Sequence, residues 1–146
     1  MKLMDILRVK GTMVHCISPQ AKLCDVIHRL CEYNIGSLVV REDLGGRPGR
    51  VVGIITERDI LKACDCENTS WGERAVADAM SKDLVVGSPL DTIDDTMGLM
   101  TQHRIRHLPV MDGDELKGMI SIGDVVKSHH HLAVVENHYL KSYIQS

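Results

Sequence analysis

One seven-residue phrase occurs twice in this chain, as GIITERD at Gly53–Asp59 and as GMISIGD at Gly118–Asp124, and no other feature constrains the fold as much. Each copy runs Gly, two apolar residues, a hydroxyl residue, two variable residues and Asp. Apolar β-rich runs lead into it and a helical pattern follows, so each copy marks a corner where a strand becomes a helix. Residues three apart share a helix face, which sets Thr56 beside Asp59 and Ser121 beside Asp124. A hydroxyl and a carboxylate so placed form a capping box, a polar grip on a ligand, or both at one helix N-terminus.

The duplication extends upstream at a constant offset of 70, with Ser18 and Pro19 matching Ser88 and Pro89, Asp25 matching Asp95, Leu38 matching Leu108 and Val40 matching Val110. Downstream the offset is 65, because Arg41–Arg50, with its GGRPG run, is longer than Met111–Glu115. Insertions of this kind sit in surface turns, so the chain reads as two copies of one supersecondary unit.

Each copy predicts strand, helix, strand, strand, helix. In the first, Val14–Ile17 reads as a strand, Leu23, Val26, Ile27 and Leu30 form the apolar stripe of a helix ending near Asn34, and Leu38–Val40 and Val51–Ile55 form a hairpin. A helix follows from about Arg58 to Ala63. The second copy predicts a strand at Leu84–Val86, a helix started by Thr92 with Asp95, a hairpin of Leu108–Met111 and Leu116–Ile120, and a helix from Ser121 to about Tyr143. Short helices at Leu3–Leu7 and Val76–Met80 lead into the first and second copies. The expected division is residues 1–70 and 71–146, and the fold class is α+β, with two small three-stranded sheets face to face and helices outside.

A chain of 146 residues with 44% hydrophobic content buries one proper core. Its net charge of −3 gives no general attraction to nucleic acid, and no apolar run reaches the length of a membrane span. The expected chain is soluble and cytoplasmic. Five cysteines scattered through apolar segments suit a reducing compartment, with Cys24 and Cys31 expected as small buried hydrophobes. Cys64 and Cys66 lack a second pair at zinc-ligand spacing, and His129, His130 and His131 point three ways from one helix, so no metal site and no catalytic constellation is expected.

The motifs IGSLVV (Ile35–Val40), VVGIITERDIL (Val51–Leu61), RIRHLPV (Arg104–Val110) and GMISIGDVV (Gly118–Val126) together resemble a tandem pair of cystathionine β-synthase (CBS) domains, the Bateman module, over about residues 10 to 130. The resemblance implies a non-catalytic regulatory module that binds adenosine-containing ligands such as AMP, ADP, ATP, NAD(H) or S-adenosylmethionine in clefts between the repeats and signals to a partner protein. It also implies a homodimer, and the apolar positions Val125, Val126, Leu132, Tyr139, Leu140 and Tyr143 are the expected contact with a second copy. A structural dimerisation module without a physiological nucleotide is the alternative.

On this reading Asp59 and Asp124 accept the two hydroxyls of a ribose, with Thr56 and Ser121 beside them. The adenine slot is expected from the strands around Met13–His15, with Val14 and His15, and Leu84–Val86, and the resemblance implies that Gly36 and Ser37 in repeat one and Arg106, His107 and Pro109 in repeat two border it. Val39 stands where Pro109's match would be proline. Arg58 and Arg106 are the preferred phosphate contacts, followed by Arg104 and His107, because the guanidinium fork suits phosphate oxygens. The shared Asp with differently placed arginines predicts two unequal sites.

Overall fold

The computed structural model describes residues 1–65 and 70–145. Cys66 and the start of the expected Glu67–Arg74 linker lie outside the described residues. The chain divides into two compact units, Val14–Leu84 and Met1–Met13 with Val85–Ser146.

In the Val14–Leu84 unit, strand β1 (Cys16–Ile17) runs parallel to β2 (Ser37–Asp43), which pairs antiparallel with β3 (Pro48–Thr56). Helix α2 (Leu23–Tyr33) buries Leu23, Val26 and Leu30, and it ends at Asn34 in the left-handed region, φ 52°. Helix α3 (Glu57–Cys64) follows β3, and a 3-10 turn at Trp71–Glu73 precedes helix α4 (Val76–Ala79). The core joins Ile17, Leu23, Val26, Leu30, Leu38, Val40, Ile55 and Ile60 to Val76 of α4. The five-residue insertion lengthens the β2–β3 hairpin past Val40, with register shifts on either side of Arg41.

The other unit contains α1 (Leu3–Lys10), α5 (Ile93–His103), the antiparallel pair β4 (His107–Asp112) and β5 (Glu115–Ser121), and α6 (Ile122–Gln145). As the sequence implies, Asp95 N–H donates to Thr92 Oγ1 at 3.1 Å at the start of α5. Ile93, Met100, Leu108, Val110, Ile120 and Val125 form the core with Leu3, Ile6 and Leu7 of α1.

This packing corrects the assignment of the lead-in helices. A division at residue 70 keeps the first helix with repeat one, but α1 docks on repeat two and α4 docks on repeat one. The two dockings use matched bonds. Leu3 and Met4 N–H donate to the carbonyls of Asp91 and Pro89 at 3.0 Å, while Val76 and Ala77 N–H donate to those of Ala21 and Pro19 at 2.8 and 2.9 Å. Because the repeats are alike, each presents the same open backbone groups, and chain geometry decides which lead-in helix fills them.

The strand expected at Leu84–Val86 is also corrected, since among the described residues the second sheet has two strands and a single parallel bridge, Gly87 to Val110. In repeat one Val39 N–H donates to the His15 carbonyl at 3.1 Å, drawing the β1 segment onto β2. Pro109, matched to Val39, has no N–H, so Val85 cannot be tied in the same way. Cys24 and Cys31 are exposed rather than buried. The inward face of α2 is set by Leu23 and Leu30, and each cysteine lies one residue further on, about 100° around the helix.

Candidate functional site

Each repeat brings its strand-to-helix corner against the start of the hairpin. In repeat one Ser37 pairs across the ladder with Thr56, and Glu57 N–H donates to the Gly36 carbonyl at 3.2 Å. In repeat two His107 pairs with Ser121, and Ile122 N–H donates to the Arg106 carbonyl at 2.8 Å. Gly36, Ser37, Thr56, Arg58 and Asp59 therefore share one corner, and Arg106, His107, Ser121 and Asp124 share the other. Arg58, Arg104 and Arg106 are exposed. Arg104 sits at the left-handed C-cap of α5, φ 53°, and Pro109 is buried opposite Met119. Val14 and His15 lie just before β1.

The two aspartates differ in what already occupies them. Asp59 is buried, at 8% exposure. Its Oδ2 accepts from Thr56 N–H at 2.9 Å and the Thr56 hydroxyl at 3.2 Å, and its Oδ1 accepts from the Ser81 hydroxyl at 3.1 Å. Asp59 N–H returns a bond to Thr56 Oγ1 at 3.4 Å, which closes a capping box. Asp124 is half-buried, and Ser121 N–H at 2.9 Å and the Lys10 ammonium at 2.7 Å both donate to Oδ2, with the Ser121 hydroxyl also beside the carboxylate. Asp124 N–H donates to Ser121 Oγ at 3.1 Å. A carboxylate has about four acceptor positions, two on each oxygen. Among the described residues this leaves Asp124 Oδ1 open at both positions and Asp59 Oδ1 at one. A vicinal diol needs two, so the corners are not equivalent.

Burial pulls the Asp124 carboxyl up, but the Lys10 hydrogen bond, the bonds with Ser121 and the Lys10 charge outweigh it and hold the group below the ordinary carboxylate value. The open edge is thus ionised near neutrality.

The motif glycines explain how Ser81 and Lys10 arrive. A Cβ on Gly53 would stand 2.8 Å from Met80 Sδ and from the Ser81 carbonyl, and one on Gly118 would stand 2.6 Å from Leu7 Cδ2. Glycine lets each lead-in helix close on the strand, which carries Ser81 to Asp59 and Lys10 to Asp124. Sequence reasoning missed both donors. It also missed Tyr33, whose ring stacks on His15 with centroids 4.0 Å apart and planes 17° from parallel. Repeat two has His103 and Val85 at those positions, so the stacked pair belongs to repeat one alone.

No group of three His, Cys, Asp or Glu among the described residues is placed to hold a metal. His129 instead lies 3.4 Å from Asp94 of α5, and His130 and His131 are exposed.

The same corner built twice, each with its hydroxyl and carboxylate, coincides with two matches to the family model described as the CBS domain, at residues 6–65 and 76–131. The chain belongs to the CBS domain family. This CBS-domain chain is 33% identical over 148 residues to the CBS domain-containing protein CBSX3, mitochondrial, of Arabidopsis thaliana, covering 97% of this chain and 70% of that one. It is similar to the crystal structure of the CBS-domain containing protein ATU1752 from Agrobacterium tumefaciens, with TM-score 0.82 and 36% identity over 88% of this chain and 92% of that one. It shares its fold with CBSX2, solved in complex with AMP, at TM-score 0.68 and 23% identity over 82% and 90% of the two chains. No helix among the described residues is long and apolar enough to cross a membrane.

Proposed function

We propose that this chain is a non-catalytic regulatory module that binds an adenosine-containing ligand chiefly through the repeat-two corner and signals occupancy to a partner protein. The observation that carries this is the open, ionised Oδ1 edge of Asp124, which offers one acceptor position to each ribose hydroxyl. Ser121 stands beside it, and Arg106, with Arg104 and His107 next, supplies the cationic side for a phosphate. AMP, bound by the fold relative CBSX2, is the first ligand to test, followed by ADP, ATP, NAD(H) and S-adenosylmethionine.

Signalling requires that the ligand bind one conformational or assembly state more tightly than another. The helix α6 is suited to report that difference, because Val125 is buried while Val126, Leu132, Tyr139 and Leu140 are exposed apolar residues further along it. A homodimer through this helix, in the cytoplasm, completes the reading.

A second reading holds for repeat one. Asp59 is buried with three donors on its carboxylate, so that corner serves as a structural cap, and Thr56, Arg58, Gly36, Ser37, Val14 and His15 form at most a weaker site.

The deciding experiment denatures the purified protein and identifies released small molecules by mass spectrometry, then measures thermal shifts across the named ligands. An adenine nucleotide should be released or should raise the melting temperature with concentration. Neither occurring would leave the structural dimerisation reading in its place.

A further inference from the structure

The N-terminal helix brings a cation to the repeat-two carboxylate, whereas the hydrogen bonds to Asp59 from Thr56 and Ser81 come from neutral groups. Lys10 closes α1, and its ammonium donates to Asp124 Oδ2 at 2.7 Å and to the Met119 carbonyl at 2.9 Å. An ammonium has three donors, so one remains. Both side chains of the pair are partly exposed, and such pairs add little to folding stability. In repeat one the matching donor is the neutral hydroxyl of Ser81.

Charge then separates the two corners. A carboxylate that reads a sugar also repels the phosphate attached to that sugar. At Asp59 this repulsion stands, with only the exposed Arg58 nearby in the motif. At Asp124 the Lys10 charge offsets it, and Arg106, whose carbonyl accepts from Ile122 N–H at the start of α6, is an exposed second cation of the same segment. The ammonium shares Oδ2 with the backbone and so reaches the corner without covering Oδ1.

We propose that Lys10 is a specificity-determining residue of the repeat-two site, making it select phosphorylated adenosine ligands over adenosine itself. This rests on Asp124 being the sugar acceptor. Residues 114 apart in sequence would then form one site, and the N-terminal helix becomes part of the ligand machinery.

The test is calorimetric titration of the full chain with adenosine, AMP and ATP, in wild type and in the variants Lys10→Met, Lys10→Arg and Asp124→Ala. Wild type should prefer AMP to adenosine, and the preference should shrink as salt is raised. Lys10→Met should weaken AMP and ATP about tenfold and leave adenosine within about twofold, the loss expected for one charge-assisted contact. Lys10→Arg should keep nucleotide affinity. Equal losses for adenosine and AMP in Lys10→Met, or a wild type that binds both equally, would overturn the role of Lys10 while leaving Asp124 as the sugar reader. Adenosine binding that survives Asp124→Ala unchanged overturns the underlying reading, and this inference with it. The wild-type comparison needs no variant to fold.

Discussion

The two motif aspartates should separate in opposite directions when each is replaced by alanine. Asp59 is buried and joined to Thr56 N–H, Thr56 Oγ1 and Ser81 Oγ. Losing the carboxylate arm of the capping box, which accepts from Thr56 N–H and the Thr56 hydroxyl, costs about 1 kcal/mol. The Ser81 bond to a charged acceptor contributes about 1.5 to 3 kcal/mol, toward the lower end here because Ser81 is exposed and its hydroxyl can turn to water. Asp59→Ala should therefore cost about 3 kcal/mol. Asp124→Ala also loses the carboxylate's bond from Ser121 N–H, at about 1 kcal/mol, but its second partner is a part-exposed lysine in a pair that contributes about 0 to 1 kcal/mol. The expected cost is about 1.5 kcal/mol. At about 2 to 4 °C per kcal/mol for a chain of this size, melting should fall by about 6 to 12 °C for Asp59→Ala and about 3 to 6 °C for Asp124→Ala. Ligand binding should show the reverse order. Asp124→Ala should weaken AMP about tenfold to a hundredfold, while Asp59→Ala, tested below its melting range, changes the repeat-two affinity by less than about threefold. Urea denaturation followed by circular dichroism gives the first quantity and calorimetry the second. If Asp124→Ala proves the more destabilising, or Asp59→Ala costs under about 0.5 kcal/mol, the count of donors on each carboxylate is the wrong basis for the assignment.

Gly53→Ala should destabilise by about 1 to 3 kcal/mol, since its Cβ meets the Ser81 backbone carbonyl that accepts from Ile54 N–H, whereas Gly98→Ala, with nothing within 4 Å and a place inside α5, should stabilise by about 0.8 kcal/mol; urea midpoints decide both. The Asp124 carboxyl has a folded-state pKa below its unfolded value, so its stabilising contribution is fully present above about pH 4 and is lost as pH falls through the lowered folded value. Acid unfolding of wild type should accordingly diverge from Asp124→Asn above about pH 4 and converge below it, and a gap that widens toward acid contradicts this sign. On α6, Leu132→Glu with Leu140→Glu should shift light-scattering mass from dimer to monomer, and a wild type already monomeric at micromolar concentration removes the helix as the dimer contact.

Local sequence pattern by itself determines much of this protein. The apolar spacing of Leu23, Val26 and Leu30, the Thr92 cap, the two hairpins and the TERD and SIGD corners are short-range features, governed by residues within a few positions of one another. The duplication turns those corners into a family and a candidate ligand chemistry. The same likeness between repeats hides which lead-in helix docks where, because α1 and α4 present equivalent backbone donors to equivalent acceptors, and the sequence contains nothing local that prefers one pairing. Tertiary structure decides that, and with it the difference between the aspartates. Ser81 reaches Asp59 from 22 residues away and Lys10 reaches Asp124 from 114, so the spare acceptor capacity of each carboxylate depends on long-range packing that periodicity cannot encode. Two similar motifs thus end with different long-range partners, a neutral serine on Asp59 and a lysine on Asp124.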